Sequence, residues 1–319
     1  PLIDRFRDRL PVSAATPVVS LGEGSTPLLP MPRLSERWGV ELWVKWEGAN
    51  PTGSYKDRGM TVAVSKAIEE GAKALICAST GNTSGSAAAY AARAGIPAVV
   101  LMPQGAVAGG KVAQTRMYGA TVLEVRGSFD AAYAVARELV ARGTHALVNS
   151  LNPYRLEGQK TAVHEIVEEL GGAPEAFAIP YGGGGNTRAY ALAFRELGLT
   201  SRLVSAQAAD RANTLATAIR ITDPVHAQYF SETPAEVVTV TDEQIVDAWL
   251  ELASAEGLFC EPSSAAGLAA VKAGAATGRV VCTVTGHGLK DPTNAERHAP
   301  APIVVAPDPD AILAASLPE

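Results

Sequence analysis

Apolar and polar positions follow two different patterns in this 319-residue chain, and both patterns predict β-strands. In residues 41–47 the two kinds of residue alternate, which is typical of a strand with one buried face. From residue 74 onward, apolar runs of four to seven residues lack this alternation and are separated by helical stretches. Such runs are typical of strands buried on both faces of a parallel sheet. The chain is therefore predicted to have an α/β fold.

Two successive series of strands and helices follow from this pattern. The first consists of strand 74–78, helix 84–94, strand 96–102, helix 107–118, strand 121–125, helix 128–142 and strand 146–149. The second consists of helix 155–170, strand 177–180, helix 186–197, strands 203–206 and 237–240, helices 242–256 and 263–273, and strand 280–284. We predict two open, mostly parallel sheet domains, with a ligand in the cleft at the carboxyl ends of their strands.

Three parts of the chain are expected to pack differently. Residues 1–50 are expected to pack on the large domain, residues 51–150 to form a small α/β domain, and residues 151–319 to form the large α/β domain. The proline-rich residues 1–35 and the tail after Asp291 are expected to lie on the surface.

The composition is that of a soluble enzyme, with 47% hydrophobic and 19% charged residues. A formal net charge of −6 argues against general binding to nucleic acid or to an anionic membrane. Cys77, Cys260 and Cys282 are too few and too far apart for a disulfide framework or a metal site, so we expect buried thiols and no metal. Since no long apolar segment is present, we expect no membrane span or signal peptide, and a cytoplasmic protein.

Lys56 is the residue at which we expect chemistry, because a helix is predicted to begin there. Residues 50–53 are rich in turn formers, and Ser54 is predicted to cap a helix over 55–72. The positive end of a helix dipole disfavours a cation, so this position favours the neutral amine that a Schiff base requires. The alternative is that Lys56 only pairs with Asp57 or a solvent anion.

The loop 79–86 connects a predicted strand to a predicted helix and consists mostly of small residues. Its free backbone N–H groups are suited to surround a carboxylate at the helix N-terminus. A plain tight turn is the alternative, although such a turn needs fewer hydroxyl groups.

A second loop between strand and helix contains four consecutive glycines. These are Gly182, Gly183, Gly184 and Gly185, and Asn186 follows them. Without side chains, the backbone can approach a phosphate and donate hydrogen bonds to it. The loop lacks the Lys-Ser or Lys-Thr of a Walker motif, and a compact phosphate fits it better than a pyrophosphate. A flexible connector is the alternative.

Two further loops follow predicted strands. Asn149 and Ser150 end one strand, and Arg155 begins the next helix with a side chain that can bind a carboxylate or a second phosphate. A capped helix start is the alternative interpretation of this loop. After the last core strand, the hydroxyl of Thr285 can bond a neutral heterocyclic nitrogen, whereas His287 is either a base or structural.

Over residues 21–292 the chain resembles the threonine synthase family, which belongs to the fold-type II group of pyridoxal-phosphate enzymes. The matching segments are 24–28, 50–59, 78–83, 149–160, 214–221, 259–266 and 285–292. Short glycine loops recur across the whole group, whereas NPTGSYKDRG, RLEGQK, LATAIRI and GHGLKDP together are particular to threonine synthases. The resemblance implies the tryptophan synthase beta-like architecture, with the active site between two domains.

The resemblance also implies the cofactor pyridoxal 5'-phosphate and its contacts. Lys56 would bind the cofactor as a Schiff base and move protons, and Asn82 would bond the ring hydroxyl. Thr285 would bond the pyridine nitrogen, and the loop from Gly182 to Asn186 would hold the cofactor phosphate.

The implied substrate is O-phospho-L-homoserine, which would lose its phosphate by γ-elimination and take up water at the β-carbon to give L-threonine. The residues implied in substrate binding are Ser79, Thr80 and Thr83 for the carboxylate and part of the phosphate end, and Asn149, Ser150 and Arg155 for the phosphate. The family also implies a homodimer.

Departures from the family pattern leave alternatives open. Gly183 stands where the family usually has an asparagine, the segment 207–237 is short for the family, and Arg188 is unusual there and offers a replacement anion contact. One alternative is a related lyase or β-replacement enzyme of the serine or threonine ammonia-lyase type. Another is a non-catalytic protein that binds an amino acid or a nucleotide in the same cleft.

Overall fold

A computed structural model of the chain describes residues 1–105, 109–127, 129–232 and 235–316. Its strands are β1 (Leu28–Pro30), β2 (Glu41–Trp46), β3 (Ala74–Ala78), β4 (Ala98–Pro103), β5 (Thr121–Val125), β6 (His145–Leu147), β7 (Ala176–Pro180), β8 (Arg202–Ala208), β9 (Ala235–Val240) and β10 (Arg279–Val284). Its α-helices are α1 (Leu2–Arg5), α2 (Pro32–Trp38), α3 (Lys56–Glu69), α4 (Asn82–Ala94), α5 (Gly109–Met117), α6 (Phe129–Ala141), α7 (Pro153–Leu170), α8 (Gly185–Leu197), α9 (Asp242–Glu256), α10 (Ala266–Lys272), α11 (Pro292–His298) and α12 (Pro309–Ser316).

The larger sheet has six strands in the order β1, β2, β10, β7, β8 and β9. Only the first pair, β1 with β2, is antiparallel, and the other neighbouring strands of this sheet are parallel. Leu42, Val204, Trp249 and Leu268 contribute to the main core, which lies between this sheet and helices that include α9 and α10. The arrangement follows from the continuous apolar runs, which need helices on both faces.

The smaller sheet has four parallel strands in the order β5, β4, β3 and β6. All five residues of its inner strand Ala74–Ala78 are buried. A separate core cluster includes Leu75 and Val100 of this sheet together with Val64 of α3 and Tyr90 of α4. The predicted α/β fold, with two mostly parallel sheets, is confirmed.

Some predicted elements differ from the observed ones. The predicted helix 263–273 consists of a 3₁₀ turn, Pro262–Ala265, followed by the shorter α10. β1 and the first half of α2 lie within residues 1–35, which were expected only to cover the surface. β1 was not predicted because a three-residue edge strand that ends in Pro30 is too short to show periodicity. The first residues of predicted helices 107–118 and 128–142 lie outside the described residues.

The prediction that Ser54 caps the first long helix is wrong. Helix α3 begins at Lys56 with Tyr55 at its N-cap position, and no side chain caps it. Ser54 instead forms an antiparallel β-bridge with Gly286, and its hydroxyl has no hydrogen-bond partner in the described part of the chain. The backbone carbonyl of Ser54 accepts from the Asp57 N–H at 3.3 Å, so the backbone takes the capping contact.

Helices α3 and α7 cross so closely that their backbones touch at two glycines. A Cβ built on Gly59 would lie 2.6 Å from the carbonyl oxygen of Arg155, and one built on Gly158 would overlap the carbonyl of Arg58. Only glycine fits at either position. The crossing therefore fixes the start of α3, which carries Lys56, against the start of α7.

Within the described ranges, no helix combines the length and the apolar character that crossing a lipid bilayer requires.

Candidate active site

Lys56 is the first residue of α3, and its Nζ donates a hydrogen bond to the hydroxyl of Tyr55. Burial lowers the pKa of Lys56 well below its usual value, and the nearby Arg155 and Lys111 act in the same direction against the opposing Glu261. The site therefore favours the neutral form of the amine, which is the form that can attack an aldehyde. The positive end of the helix dipole also favours the neutral form, but burial is the larger cause of the lowered pKa.

The Asp57 carboxylate holds the loop before Lys56 in shape. Its Oδ2 accepts from the backbone N–H of Thr52 at 2.7 Å, and its Oδ1 accepts from the hydroxyls of Thr52 and Ser86, each at 2.6 Å. Burial raises the pKa of Asp57 to about 6 despite these hydrogen bonds. Since these contacts occupy the carboxylate, its observed role is to fasten the loop to α4.

A network of buried charged side chains, centred on Arg58, also holds the loop before Lys56 in place. The guanidinium of Arg58 contacts Glu47 at 2.7 and 2.8 Å and Glu165 at 2.7 and 2.8 Å. Lys45 lies 3.0 Å from the second of these carboxylates, and Asn50 donates to Glu47 at 2.9 Å. Thus the first and ninth residues of the NPTGSYKDRG string bind the network and not the cleft.

Asn82 begins α4, and its amide is oriented by the carboxylate of Glu261, which lies between α9 and α10. Its Nδ2 donates to Glu261 Oε1 at 2.7 Å, and its Oδ1 has no partner among the described residues. Lys111 of α5 lies 2.9 Å from Glu261 Oε2. Sequence reasoning missed Glu261 and Lys111, although the matching segment 259–266 contained the first of them.

Thr285 follows β10 and is 7% exposed. Its hydroxyl lies 2.9 Å from the hydroxyl of Ser264, which also accepts from the backbone N–H of Gly286 at 2.8 Å. The carbonyl of Thr285 accepts from the backbone N–H of Tyr55 at 3.0 Å. The loop after β10 is therefore directly attached to the loop that carries Lys56.

The glycine loop follows β7 and leads into α8, as predicted. Gly184 has φ +84°, a left-handed conformation that favours glycine, and Gly185 is the first helical residue. A Cβ on Gly182 would lie 3.2 Å from the carbonyl of Ala218, so a side chain there would crowd the loop wall. Asn186 is buried, and its Nδ2 has no partner among the described residues.

Arg155 lies in the first turn of α7 and is fully buried. Only its Nη1 is hydrogen-bonded, to the carbonyl of Val148 at 3.2 Å; Nε and Nη2 have no partner in the described part of the molecule. Burial lowers the pKa of this guanidinium from its usual value. Two unpaired donors on a buried arginine leave an anion-binding position that protein groups do not fill.

The remaining predicted residues lie on two neighbouring loops. Ser79, Thr80 and Thr83 are half-buried around the start of α4. Asn149 exchanges two hydrogen bonds with the backbone of Ala78, at 3.0 and 2.8 Å, so its amide joins the two loops.

Ser150 is half-buried beside Asn149, and its carbonyl lies 3.1 Å from Nε2 of His226. His226 is buried and was not identified from the sequence, because it lies in the irregular segment between β8 and β9. Arg188 stacks its guanidinium on the ring of Tyr229 at 3.5 Å.

The arrangement fits an aldehyde cofactor with a phosphate group. Such a cofactor would engage Lys56, whose pKa burial lowers, an Asn82 carbonyl oxygen without a donor and an Asn186 amide nitrogen without an acceptor among the described residues. Buried polar atoms without partners are rare, and a ligand accounts for them. In the described ranges, no group of three His, Cys, Asp or Glu side chains is placed to hold a metal ion.

Comparison with known proteins agrees with this chemistry. A family model described as pyridoxal-phosphate dependent enzyme matches residues 19–286. The threonine synthase of Halalkalibacterium halodurans is 48% identical, with 92% of this chain and 90% of that protein covered. The threonine synthase of Synechocystis sp. is also 48% identical, covering 97% and 88%, and that of Methanocaldococcus jannaschii is 43% identical, covering 95% and 84%.

Solved structures resemble the fold. Maize serine racemase superimposes with a TM-score of 0.80 at 22% identity, over 93% of this chain and 95% of that one. The threonine deaminase of T.th. gives a TM-score of 0.74 at 26% identity, over 90% and 96%. The first of these likenesses concerns the fold alone.

Proposed function

The chain belongs to the family of pyridoxal-phosphate dependent enzymes, and we propose that it acts as a threonine synthase. The reaction converts O-phospho-L-homoserine and water to L-threonine and phosphate. The observation that carries the site assignment is the fully buried Arg155, with two donors unpaired among the described residues, near Lys56, whose pKa burial lowers. A phosphorylated substrate accounts for that second anion position, which an enzyme acting on serine or threonine does not need.

The cofactor would be held by Lys56, Asn82, Thr285 and the glycine loop. Lys56 is the attachment point, Asn82 offers its Oδ1 to the ring hydroxyl, and Thr285 offers a hydroxyl to the ring nitrogen. The backbone of Gly182, Gly183, Gly184 and Gly185, with Asn186, would hold the phosphate. When bound, pyridoxal phosphate supplies an electron sink for negative charge that develops on the substrate carbons.

The substrate would lie between α4 and α7. Ser79, Thr80 and Thr83 are assigned to its carboxylate and part of its phosphate end, because the N-terminal N–H groups of α4 favour an anion. Arg155 is assigned to the phosphate, with Ser150 beside it. Asn149 contributes by fixing this loop to β3, since its amide is bonded to Ala78.

Lys56 is assigned the proton transfers. Burial lowers the pKa of its Nζ and so favours the neutral form, which can accept a proton from a substrate carbon and return it to another. Burial, and after it the charge of nearby Arg155, keeps the pKa of the amine low, and this favours return of the proton.

Two assays test this proposal against its alternatives. We expect phosphate release from O-phosphohomoserine with formation of threonine, and little keto acid from threonine. Keto acid as the main product would favour the ammonia-lyase type. Borohydride reduction followed by mass spectrometry should find the cofactor on Lys56; an unmodified Lys56 without visible absorbance would favour a non-catalytic binding protein.

We also propose an oligomeric state and a cellular location for the protein. We infer a homodimer from the family resemblance, and light scattering of the purified holoenzyme tests this. A cytoplasmic location is supported by the buried state of Cys77, Cys260 and Cys282, whose thiol pKa values burial raises, so that none is poised for disulfide chemistry. Cell fractionation tests this location.

A further inference from the structure

His226 joins the two predicted anion sites and belongs to no motif that the sequence analysis identified. Its side chain is fully buried. Its backbone N–H donates to the carbonyl of Gly183 at 3.1 Å, and its Nε2 lies 3.1 Å from the carbonyl of Ser150. The histidine therefore connects the glycine loop to the loop that precedes Arg155.

The hydrogen bonds of His226 determine which ring nitrogen carries the proton. A carbonyl oxygen only accepts, so Nε2 carries the hydrogen in the contact with Ser150. Nδ1 has no hydrogen-bond partner among the described residues. Burial lowers the pKa of His226 to about 4, so the ring is neutral at pH 7 and Nδ1 is an acceptor.

The surroundings of His226 are cationic and closely packed. Burial is the main cause of the lowered pKa of His226, and the positive charges of Arg188 and Arg155 act in the same direction. A Cβ on Gly185 would lie 3.3 Å from Nε2, and the ring of Tyr229 lies 6.0 Å away. The ring therefore has little freedom to turn, and Nδ1 keeps its position.

Unpaired atoms of both kinds, donors and an acceptor, belong to His226 and to the segments that it connects. Arg155 and Asn186 contribute unpaired donors, and His226 contributes an unpaired acceptor. Donors suit any phosphate oxygen, but a buried acceptor without a donor costs free energy. A phosphate that carries one P–O–H group satisfies both kinds of atom, whereas a fully deprotonated phosphate does not.

We propose that His226 selects the protonation state of the substrate: its Nδ1 accepts a hydrogen bond from a P–O–H group, so the site binds O-phosphohomoserine as the phosphate monoanion. This inference rests on the proposed function, because it assumes that a phosphomonoester occupies the site beside Arg155.

The selection has a chemical consequence for the leaving group. When the Cγ–O bond breaks, its electron pair stays with the phosphate oxygen, and the proton already on the phosphate makes the product hydrogenphosphate. The substrate brings this proton, so Lys56 is not required to supply it and remains available for the carbon atoms.

The selection also predicts a pH dependence. A phosphomonoester loses its second proton with a pKa of about 6, so the monoanion declines about tenfold per pH unit above that value. We expect the KM for O-phosphohomoserine to rise between pH 7 and 9 in the wild type. A variant without Nδ1 should show a flatter profile.

Hydrogenphosphate and sulfate test the acceptor directly, since they have similar shape and charge but only hydrogenphosphate carries a proton. In the holoenzyme the cofactor fills the glycine loop, so calorimetry reports the substrate site. At pH 8 the wild type should bind phosphate about ten- to hundredfold more tightly than sulfate. Equal affinities in the wild type would overturn the inference.

Two variants and a control complete the test. His226→Gln can keep the contact with Ser150 and lacks Nδ1, so it should lose the preference for phosphate and the steep pH profile. His226→Asn provides a second variant if glutamine disturbs the loop. His145→Gln, at a half-buried histidine on β6, should behave as the wild type.

The outcomes separate this inference from the proposed function. If both His226 variants fold, turn over and keep the preference for phosphate over sulfate, the inference fails and the function stands. If the wild type releases no phosphate from O-phosphohomoserine, the proposed function fails, whatever the calorimetry shows.

Discussion

Two arginines of this protein, Arg58 and Arg155, are both fully buried and only a short distance apart in the crossing of α3 and α7, yet their hydrogen bonding differs. Each nitrogen of Arg58 has at least one partner, mainly on Glu47 and Glu165. Arg155 has one hydrogen-bond partner in the described ranges, the carbonyl of Val148. The hydrogen-bond donors of Arg58 are therefore satisfied without a ligand, whereas those of Arg155 are not.

The pKa values of the two guanidinium groups show the same contrast. Burial disfavours the charge of Arg58, but Glu47 and Glu165 outweigh it and raise the pKa well above the usual value. For Arg155 burial prevails and the pKa is lowered. A buried charge with satisfied partners indicates a structural role, whereas one with unused donors indicates a ligand. The comparison yields predictions for both regions.

The largest effect on activity is expected at Lys56, which lies with Arg155 in the candidate active site. Lys56→Ala should lower turnover by at least about 10³-fold, because it removes the proton-transferring amine. The fold should persist, since among the described residues the amine donates a hydrogen bond to Tyr55 alone. Steady-state kinetics and thermal unfolding measure both effects. Lys66→Ala, on the same helix, is the control, and comparable loss of activity there would contradict the assignment.

The next effect concerns Arg58 and the fold. Arg58→Met leaves two buried carboxylates without their main partner and should lower the free energy of unfolding by about 3–5 kcal/mol. Denaturant titration measures this change. Arg202→Met removes an exposed pair with Glu236 and should cost less than about 1 kcal/mol. A mild effect at Arg58 would mean that the network is not structural.

The network should also respond to acid. Arg58 and Lys45 lower the pKa of Glu165 to about 2 although burial opposes them. Because the folded pKa lies below the unfolded value, the carboxylate contributes about 3 kcal/mol of stability above pH 4.5, which is lost as the pH falls toward 2. Unfolding free energies between pH 7 and 3 test this, and Glu165→Gln should lack this part of the slope.

The smallest effect is expected at Arg155. Arg155→Ala should raise the KM for O-phosphohomoserine about 30-fold, as expected for a lost charged hydrogen bond of about 2 kcal/mol, and change cofactor affinity much less. Arg142→Ala, at an exposed pair with Glu138, is the control. If Arg155→Ala releases the cofactor, as equilibrium dialysis would detect, the division between the two phosphate sites is wrong.

The sequence predicted most of the fold because its strands are continuous apolar runs with short loops. The strand 74–78 was placed correctly, whereas β1 was missed because an edge strand of three residues has no period. Ser54 was assigned as a cap from residue preference alone, and its bridge to Gly286 is a long-range contact that preference does not show.

The residues of the candidate site likewise fall into those that the sequence could identify and those that it could not. Lys56 and the glycine loop were identifiable because their chemistry depends on local backbone geometry, at a helix start and in a turn. Glu261, Lys111 and His226 act through contacts between distant segments, 179 residues apart for the pair of Asn82 with Glu261. Such contacts leave no local pattern, although Glu261 lies in a matching segment.

The contact between Gly59 and Gly158 has a mechanical consequence. Lys56 and Arg155 each precede a crossing glycine by three residues, and α3 belongs to the core of the small sheet whereas α7 packs with the large one. If one sheet rotates relative to the other, the contact between α3 and α7 is therefore the point about which we expect the rotation to occur. A rotation about it would swing Asn82 and Lys111 through an arc while the spacing between amine and guanidinium stayed almost constant.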